Sequence, residues 1–106
     1  VNFDTANITY YNKGTDALAE LKKSLAFVRT VEFKDHTGAF ETWDFPVAGK
    51  GVVDFQAVTA LLRESGYAGP VTIEFEGTKG VELTREQTLQ AIADSVAYVR
   101  SLGGFD

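Results

Sequence analysis

Three strand-like segments alternate with three helix-like segments along this chain, and this order limits the fold more than any other feature. Apolar and polar residues alternate in each strand-like segment, and these segments are Val1–Thr5, Thr30–Asp35 and Val71–Glu76. Apolar residues recur at helical spacing in the segments Asp16–Val28, Phe55–Ser65 and Arg85–Leu102. Strands that alternate with helices pair in parallel through right-handed crossovers. The sequence therefore predicts an α/β fold of three consecutive βα units.

Capping residues support the three predicted helices. Thr15 is the expected N-cap of the first helix, and Asp54 is that of the second, which Gly66 ends. Thr84 and Gln87 have the spacing of a capping box before the third helix. The stripe expected to face the core from that helix comprises Leu89, Ile92, Val96 and Val99. Each helix thus has a defined start and one apolar face.

The connections differ in length according to their direction. Helix-to-strand connections are short, whereas the strand-to-helix loops Ala6–Thr15, His36–Asp54 and Gly77–Thr84 are longer. In α/β folds, binding and catalytic sites lie at the carboxyl ends of parallel strands, where these longer loops begin. We therefore expect the functional residues at that end of the sheet.

Acidic side chains share one predicted face of the three strands. Side-chain alternation places Asp4, Glu32 and Glu74 on the face opposite the apolar residues, with Lys34 beside them. Strands of a doubly wound sheet would be apolar on both faces, so this pattern favours the lumen of a barrel near its C-terminal mouth. Clustered carboxylates suit a hard divalent cation such as Mg²⁺ or Mn²⁺. An open sheet with one solvated face is the alternative interpretation.

Three further polar residues are candidate substrate contacts. Lys34 lies beside the carboxylates, and His36, the only histidine, follows the end of a strand. Asn7 either contacts a substrate hydroxyl or serves as a turn residue. A lone histidine usually has no catalytic role, so a functional role is the minority interpretation of His36. We predict Asn7, Lys34 and His36 as substrate-binding residues.

The longest loop, His36–Asp54, carries two other motifs. Gly49-Lys50-Gly51 lacks the spacing of a phosphate-binding P-loop, so a turn is the favoured interpretation and phosphate contact by Lys50 the lesser one. Three aromatic residues either wall a ligand pocket or pin the loop to the barrel, and we favour pinning. They are Phe40, Trp43 and Phe45.

Length, net charge and cysteine content limit the kinds of protein and partner that fit this sequence. The 106 residues suffice for one domain, and a net charge of −5 disfavours nucleic acid as a partner. No cysteine is present and no apolar run is long enough to cross a membrane, which fits a cytoplasmic protein. The sequence starts inside a strand-like run at Val1 and contains no methionine. We therefore expect part of a longer protein.

Four sequence motifs together resemble a known family. The segments NFDTAN, FKD, GKGVVDF and GYAGPVTIEFEG, in this order, are similar to those of the sugar phosphate isomerase/epimerase family. That family has the xylose isomerase-like TIM barrel, which is also similar to the endonuclease IV fold. The likeness covers nearly the whole chain and corresponds to the last three of eight βα units. It implies that residues 1–106 are the C-terminal portion of a partial TIM (β/α) barrel.

The resemblance also implies roles for individual residues. Family members bind a divalent metal through Glu, Asp, His and Glu on successive late strands, and Mn²⁺ or Mg²⁺ is expected here, with Zn²⁺ as a further option. Asp4 matches the aspartate ligand, and Glu74 matches the final glutamate, both a ligand and a catalytic base. Glu32 stands where the family usually has its histidine ligand. Asn7 stands where some epimerases have a substrate-binding histidine.

Two functions follow as hypotheses. The first is the C-terminal part of a metal-dependent sugar or sugar phosphate isomerase or epimerase, which moves a proton between adjacent sugar carbons. The family's other glutamate lies on a strand outside this chain, so we expect the chain alone to be inactive. The second is a non-catalytic module derived from a TIM barrel that binds a carbohydrate or a partner. In either case open sheet edges predict self-association or association with the rest of a barrel.

Overall fold

The computed structural model describes residues 1–105 and contains two small sheets. Its strands are β1 (Asn2–Asp4), β2 (Thr30–Phe33), β3 (Asp44–Phe45), β4 (Val71–Ile73) and β5 (Gly77–Thr78). The main sheet is parallel, in the order β1-β2-β4, with Phe3 opposite Val31 and Val31 opposite Val71. The predicted α/β fold with three parallel strands is confirmed.

Three of the four helices in residues 1–105 were predicted, and the first, a short helix within the predicted loop Ala6–Thr15, was not. They are α1 (Asn7–Tyr11), α2 (Ala17–Ser24), α3 (Phe55–Glu64) and α4 (Arg85–Ser101), and a 3₁₀ turn, Leu25–Phe27, extends α2. Asp16, not Thr15, caps α2, because its carboxylate accepts the N–H of Ala19 at 3.0 Å. The Thr15 hydroxyl instead donates to the carbonyl of Ile8. The predicted capping box of Thr84 and Gln87 is present.

A single apolar core lies between one face of the main sheet and the helices. Val31 and Phe33 of β2 are fully buried, and the ring of Phe33 packs on that of Phe55 with 5.1 Å between centroids. Leu21 of α2 and Val58 of α3 complete the centre of this core. Complete burial of one such side chain contributes about 1.5–3 kcal/mol. The core therefore fixes the sheet orientation, and with it the side to which the polar strand residues point.

Helix α4 buries the predicted stripe only toward its C-terminal end, where Val99 is buried and Val96 half-buried. Leu89 and Ile92 are 54 % and 41 % exposed, whereas the buried residues are Ala91, Ser95 and Val99. The Ser95 hydroxyl accepts the N–H of Ala48, which fixes the rotation of the helix. Small side chains thus allow a close approach to the loop, and the larger apolar residues turn to the flank of the helix.

The antiparallel pair of β3 and β5 was not predicted. Asp44 lies opposite Thr78 and Phe45 opposite Gly77, so this antiparallel pair joins the loop after β2 to the loop after β4. The Thr78 hydroxyl also donates to the Asp44 carboxylate at 2.7 Å. The pair ties together two loops that begin at the carboxyl ends of the parallel strands. None of the helices in residues 1–105 is long and apolar enough to cross a membrane.

Candidate active site

Three carboxylates from three strands meet at the carboxyl end of the main sheet. Asp4 ends β1, Glu32 lies in β2, and Glu74 follows β4, where its N–H still bonds to the carbonyl of Phe33. One oxygen atom from each carboxylate lies within 4.8 Å of the other two. We call Asp4, Glu32 and Glu74 the acidic cluster. Strand alternation predicted this convergence, and the structure shows it.

The backbone of the following helix orients the Asp4 carboxylate. Its Oδ1 atom accepts the N–H groups of Ala6 and Asn7 at 2.8 and 3.0 Å, at the start of α1. Its Oδ2 atom is buried and accepts no hydrogen bond within residues 1–105. The ammonium of Lys34 lies 3.1 Å from it, without hydrogen-bond geometry. Asp4 therefore points one oxygen into the site.

Glu32 has an unfavourable environment for its negative charge. Burial raises its pKa, the charges of Glu74 and Asp4 raise the pKa further, and the charge of Lys34 lowers it. A bound cation would relieve this repulsion. A proton would relieve it as well, so proton and cation compete at Glu32.

Lys34 lies among the carboxylates, almost removed from solvent. Its Nζ atom is 2.8 Å from Glu76, 2.9 Å from Glu74 and 3.1 Å from Asp4, and 4 % of its side chain is exposed. Burial disfavours the ammonium, but the carboxylates of Glu76 and Glu74, and then Asp4, outweigh burial and raise the pKa of Lys34. The ammonium stays charged at neutral pH, because Nζ donates a hydrogen bond to Glu76 and lies in ion-pair contact with Glu74 and Asp4.

Glu76 is the residue at this site that sequence reasoning did not select. It lies two positions after Glu74, and side-chain alternation puts both residues on one face. That spacing was the available signal, but alternation alone does not tell which of two acidic residues reaches a neighbouring lysine.

The other predicted substrate contacts have different surroundings. Asn7 begins α1, is half-buried, and donates its backbone N–H to the Asp4 carboxylate. With Asp4 it lines a groove along the free edge of β1, which Glu32, Glu74 and Lys34 do not line. His36 is fully buried. Its Nδ1 atom accepts the N–H of Gly38 and lies 2.7 Å from the Thr9 hydroxyl, and its Nε2 atom lies 2.8 Å from the carbonyl of Thr42. The structure thus places Asn7 beside Asp4 and uses both nitrogens of His36 to hold a loop.

A second buried carboxylate, which sequence reasoning also did not select, organises the long loop. Asp35 accepts four backbone N–H groups, from His36, Gly49, Gly51 and Val53, at 2.8–3.2 Å. The glycine-rich segment around Lys50 is therefore a turn, as favoured. The N–H groups of its two glycines already bond to Asp35, so they do not form an anion-binding cradle.

Aromatic side chains pin this loop over the site. Phe45 is 1 % exposed and packs against the rings of Tyr10, His36 and Trp43. The ammonium of Lys34 lies 4.9 Å from the centre of the Phe45 ring. Phe45 thus forms an apolar wall next to the charged groups and lowers their access to water.

The chain matches one family model over most of its length. The model describes the xylose isomerase-like TIM barrel and covers residues 1–102. The chain belongs to the xylose isomerase-like TIM barrel family. A solved structure agrees with this assignment: the xylose isomerase domain protein from Planctomyces limnophilus superposes with a TM-score of 0.76 at 27 % identity, over 96 % of this chain and 36 % of that one.

Two relatives are similar to part of this chain. L-ribulose-5-phosphate 3-epimerase UlaE from Salmonella paratyphi C (strain RKS4594) is 36 % identical over 72 residues, which are 67 % of this chain and 24 % of the epimerase. Inosose dehydratase from Erwinia tasmaniensis (strain DSM 17950 / CFBP 7177 / CIP 109463 / NCPPB 4357 / Et1/99) is 33 % identical over 91 residues. The match covers 70 % of this chain and 30 % of the dehydratase. The chain therefore spans only 24 % and 30 % of the length of these relatives.

The donor set of the acidic cluster fits a hard divalent cation. Three carboxylates offer oxygen atoms within 4.8 Å of one another, and the Oδ2 atom of Asp4 is buried without a hydrogen bond. Mg²⁺ and Mn²⁺ prefer such oxygen ligands. Lys34 already contacts two of the three carboxylates, so a cation would share the cluster with an ammonium.

Proposed function

We propose that this chain is the C-terminal part of a metal-dependent sugar or sugar phosphate isomerase or epimerase, which shifts a proton between adjacent sugar carbons. The observation that carries the proposal is the meeting of Asp4, Glu32 and Glu74 within 4.8 Å at the strand ends of a xylose isomerase-like barrel. A relative that is 36 % identical over 72 residues is named L-ribulose-5-phosphate 3-epimerase, which supports it.

Each residue of the acidic cluster has a role in this proposal. Asp4, Glu32 and Glu74 hold the divalent cation, with Mn²⁺ or Mg²⁺ favoured by the all-oxygen donor set. When bound, the cation supplies positive charge that stabilises negative charge on the substrate's carbonyl oxygen. Glu74 acts as the base that takes a proton from the carbon next to that carbonyl. A side-chain exposure of 39 % leaves Glu74 accessible to a substrate.

The surrounding residues orient the substrate and restrict water. Asn7 lies beside Asp4 and offers an amide to a sugar hydroxyl, and the ammonium of Lys34 adds positive charge next to Glu74. Phe45 closes one side of the site with an apolar ring. His36 keeps its predicted role as a substrate contact only if its ring leaves its present partners.

The chain needs additional βα units to complete this site. The second proton-transfer group of the family lies, by resemblance, on a strand outside this chain, and β1 and β4 each have one edge that no strand in residues 1–105 covers. We place the rest of the barrel against these edges. A cytoplasmic location stays a prediction.

A non-catalytic module that binds a carbohydrate or a partner is the second candidate. The specific observation in its favour is that Lys34 already neutralises two of the three candidate ligands, while Glu32 stands at the family's histidine position. Such a module would keep the charged pocket without binding a metal.

Metal binding and proton exchange in the full-length protein separate the two candidates. We expect Mn²⁺ binding by calorimetry, and exchange of a substrate C–H proton with D₂O for sugars or sugar phosphates, L-ribulose 5-phosphate included. Glu74→Gln should lower the exchange rate by about 10²–10⁴-fold, whereas Glu64→Gln, at an exposed position of α3, should not change it. Absence of divalent metal binding, or a fully active Glu74→Gln variant, would falsify the enzyme assignment.

A further inference from the structure

The ammonium of Lys34 and a divalent cation require the same carboxylate oxygen. Oδ1 of Asp4 is committed to two backbone N–H groups at the start of α1, which leaves Oδ2 to face the site. Lys34 Nζ lies 3.1 Å from that Oδ2 atom and 2.9 Å from Oε2 of Glu74. Two positive charges cannot both sit against these oxygens without strong repulsion. The position of Lys34 is therefore coupled to metal binding.

Lys34 has limited freedom to leave the cluster. Its backbone N–H donates to the Thr5 hydroxyl, and that hydroxyl donates to the Lys34 carbonyl at 2.7 Å, so the main chain is fixed between β1 and β2. Only the side chain can move. The acceptor that remains outside the acidic cluster is Glu76, whose Oε2 atom accepts from Lys34 Nζ at 2.8 Å.

Glu76 differs from the cluster residues in a way that suits it to hold the lysine. It is not among the three carboxylates whose oxygens lie within 4.8 Å of one another, so it is free to pair with Lys34 while the others bind a cation. It is also the closest of the three carboxylates that Lys34 contacts.

We propose that Lys34 is a resident counter-cation of the acidic cluster, and that Glu76 is a positioning residue that holds the Lys34 ammonium aside when a divalent cation occupies Asp4, Glu32 and Glu74. This inference rests on the proposed function, because it assumes that the cluster takes such a cation. It also implies that the Lys34 ammonium and the divalent cation compete for the acidic cluster. Without metal the ammonium balances the charge of the carboxylates, and when metal binds it moves to Glu76.

Mn²⁺ affinity of the full-length protein, measured by calorimetry on four variants, tests the proposal. Lys34→Gln should bind Mn²⁺ roughly tenfold more tightly, because the competing charge is gone, and Glu76→Gln should bind it several-fold more weakly. In the double variant the Glu76→Gln effect should vanish, because Glu76 acts through Lys34. Lys22→Gln, an exposed lysine on α2, is the matched control and should bind as the unmodified protein does.

Thermal unfolding in EDTA provides a readout that does not depend on metal binding. Lys34→Gln should unfold at a lower temperature in EDTA, since the carboxylates lose their counter-charge, and added Mn²⁺ should restore more stability to it than to the unmodified protein. Unchanged Mn²⁺ affinity and unchanged stability of Lys34→Gln would overturn the proposal. A Glu76→Gln effect that persists in the Lys34→Gln background would refute the positioning role, since it would be a plain charge effect.

Failure of the proposed function gives a different pattern. If no variant bound Mn²⁺ while Lys34→Gln was destabilised in EDTA, the metal-dependent enzyme and the positioning role of Glu76 would both be rejected. The counter-cation role of Lys34 would stand. If Lys34→Gln alone bound Mn²⁺, the lysine would be confirmed as the competitor, and the unmodified protein would not be a metal enzyme.

Discussion

Oδ2 of Asp35 accepts the backbone N–H of Gly51 at 2.8 Å, so the residue that follows β2 and Lys34 also fixes a loop sixteen positions further along the chain. A Cβ atom at Gly51 would collide with the carbonyl oxygen of His36 and with the Asp35 carboxylate. The absence of a side chain at Gly51 is therefore what allows the loop to approach the carboxylate.

We expect Gly51→Ala to lower the free energy of unfolding by about 1–3 kcal/mol, the usual cost of forcing a methyl group into a packed region. Urea denaturation followed by circular dichroism measures it. Glu64→Ala, at an exposed position of α3, is the control and should change the free energy of unfolding by less than about 0.5 kcal/mol. A Gly51→Ala variant as stable as the unmodified protein would show that the loop is not held by this contact.

Sequence reasoning found the carboxylates but not their partners. Strand alternation was enough to bring Asp4, Glu32 and Glu74 together, because parallel strands in register share a face. It did not reveal the role of Asp35, because its four partners are backbone N–H groups. Nearly every residue has such a group, so the residue types do not identify these partners. Interactions between a side chain and a distant backbone are set by the path of the loop.

His36 should prove important for stability. Its ring bonds to Gly38, Thr9 and Thr42, and His36→Phe would keep a ring of similar size while leaving these groups without their partner. We expect a loss of about 1–3 kcal/mol in the free energy of unfolding. Asn7→Ala provides the contrast, since a substrate contact at Asn7 should raise KM and leave stability nearly unchanged. A stable His36→Phe variant with a raised KM would instead establish His36 as a substrate contact.

The sequence did not predict strands β3 and β5 or helix α1, because these elements are too short. Strands β3 and β5 have two residues each, and helix α1 has five, so none is long enough to show a period. Their positions depend on tertiary contacts, such as the packing of Phe45 against Tyr10. The long helices and main strands were predictable because their periodicity extends over several residues.

Stability in the absence of metal should depend on the ionisation of Glu32. Its pKa is raised above the ordinary value of 4.5 by burial and by the charges of Glu74 and Asp4. The folded state therefore binds a proton more tightly than the unfolded state, and stability is lost as the pH rises through the folded pKa. Glu32→Gln removes this loss, since glutamine stays neutral.

We expect Glu32→Gln in EDTA to be more stable than the unmodified protein at neutral pH, with a difference that shrinks as the pH falls toward 4.5. Thermal unfolding across this pH range measures the difference. Glu64→Gln, at an exposed position, should follow the unmodified protein at every pH. If Glu32→Gln were less stable than the unmodified protein at neutral pH without metal, Glu32 would be stabilised by its surroundings and the repulsion argument would be wrong.

The flank of α4 should be covered in the complete protein. Leu89 and Ile92 are half-exposed here and lie roughly a quarter turn from the buried face of the helix. Helix α4 contacts β4, and one edge of β4 has no strand partner in residues 1–105. An apolar flank on a helix that packs beside a free strand edge is what a further βα unit of the barrel would bury.

We therefore expect Leu89→Asp and Ile92→Asp each to destabilise the full-length protein by about 3 kcal/mol or more, because a charge would be buried without a partner. Ala97→Asp, at an exposed position of the same helix, is the control and should lower the free energy of unfolding by only about 1 kcal/mol, mainly through the loss of helix propensity from Ala to Asp. Denaturation of the three variants side by side measures the contrast. Equal, small effects at all three positions would mean that this flank faces water, and that the barrel is not completed against β4.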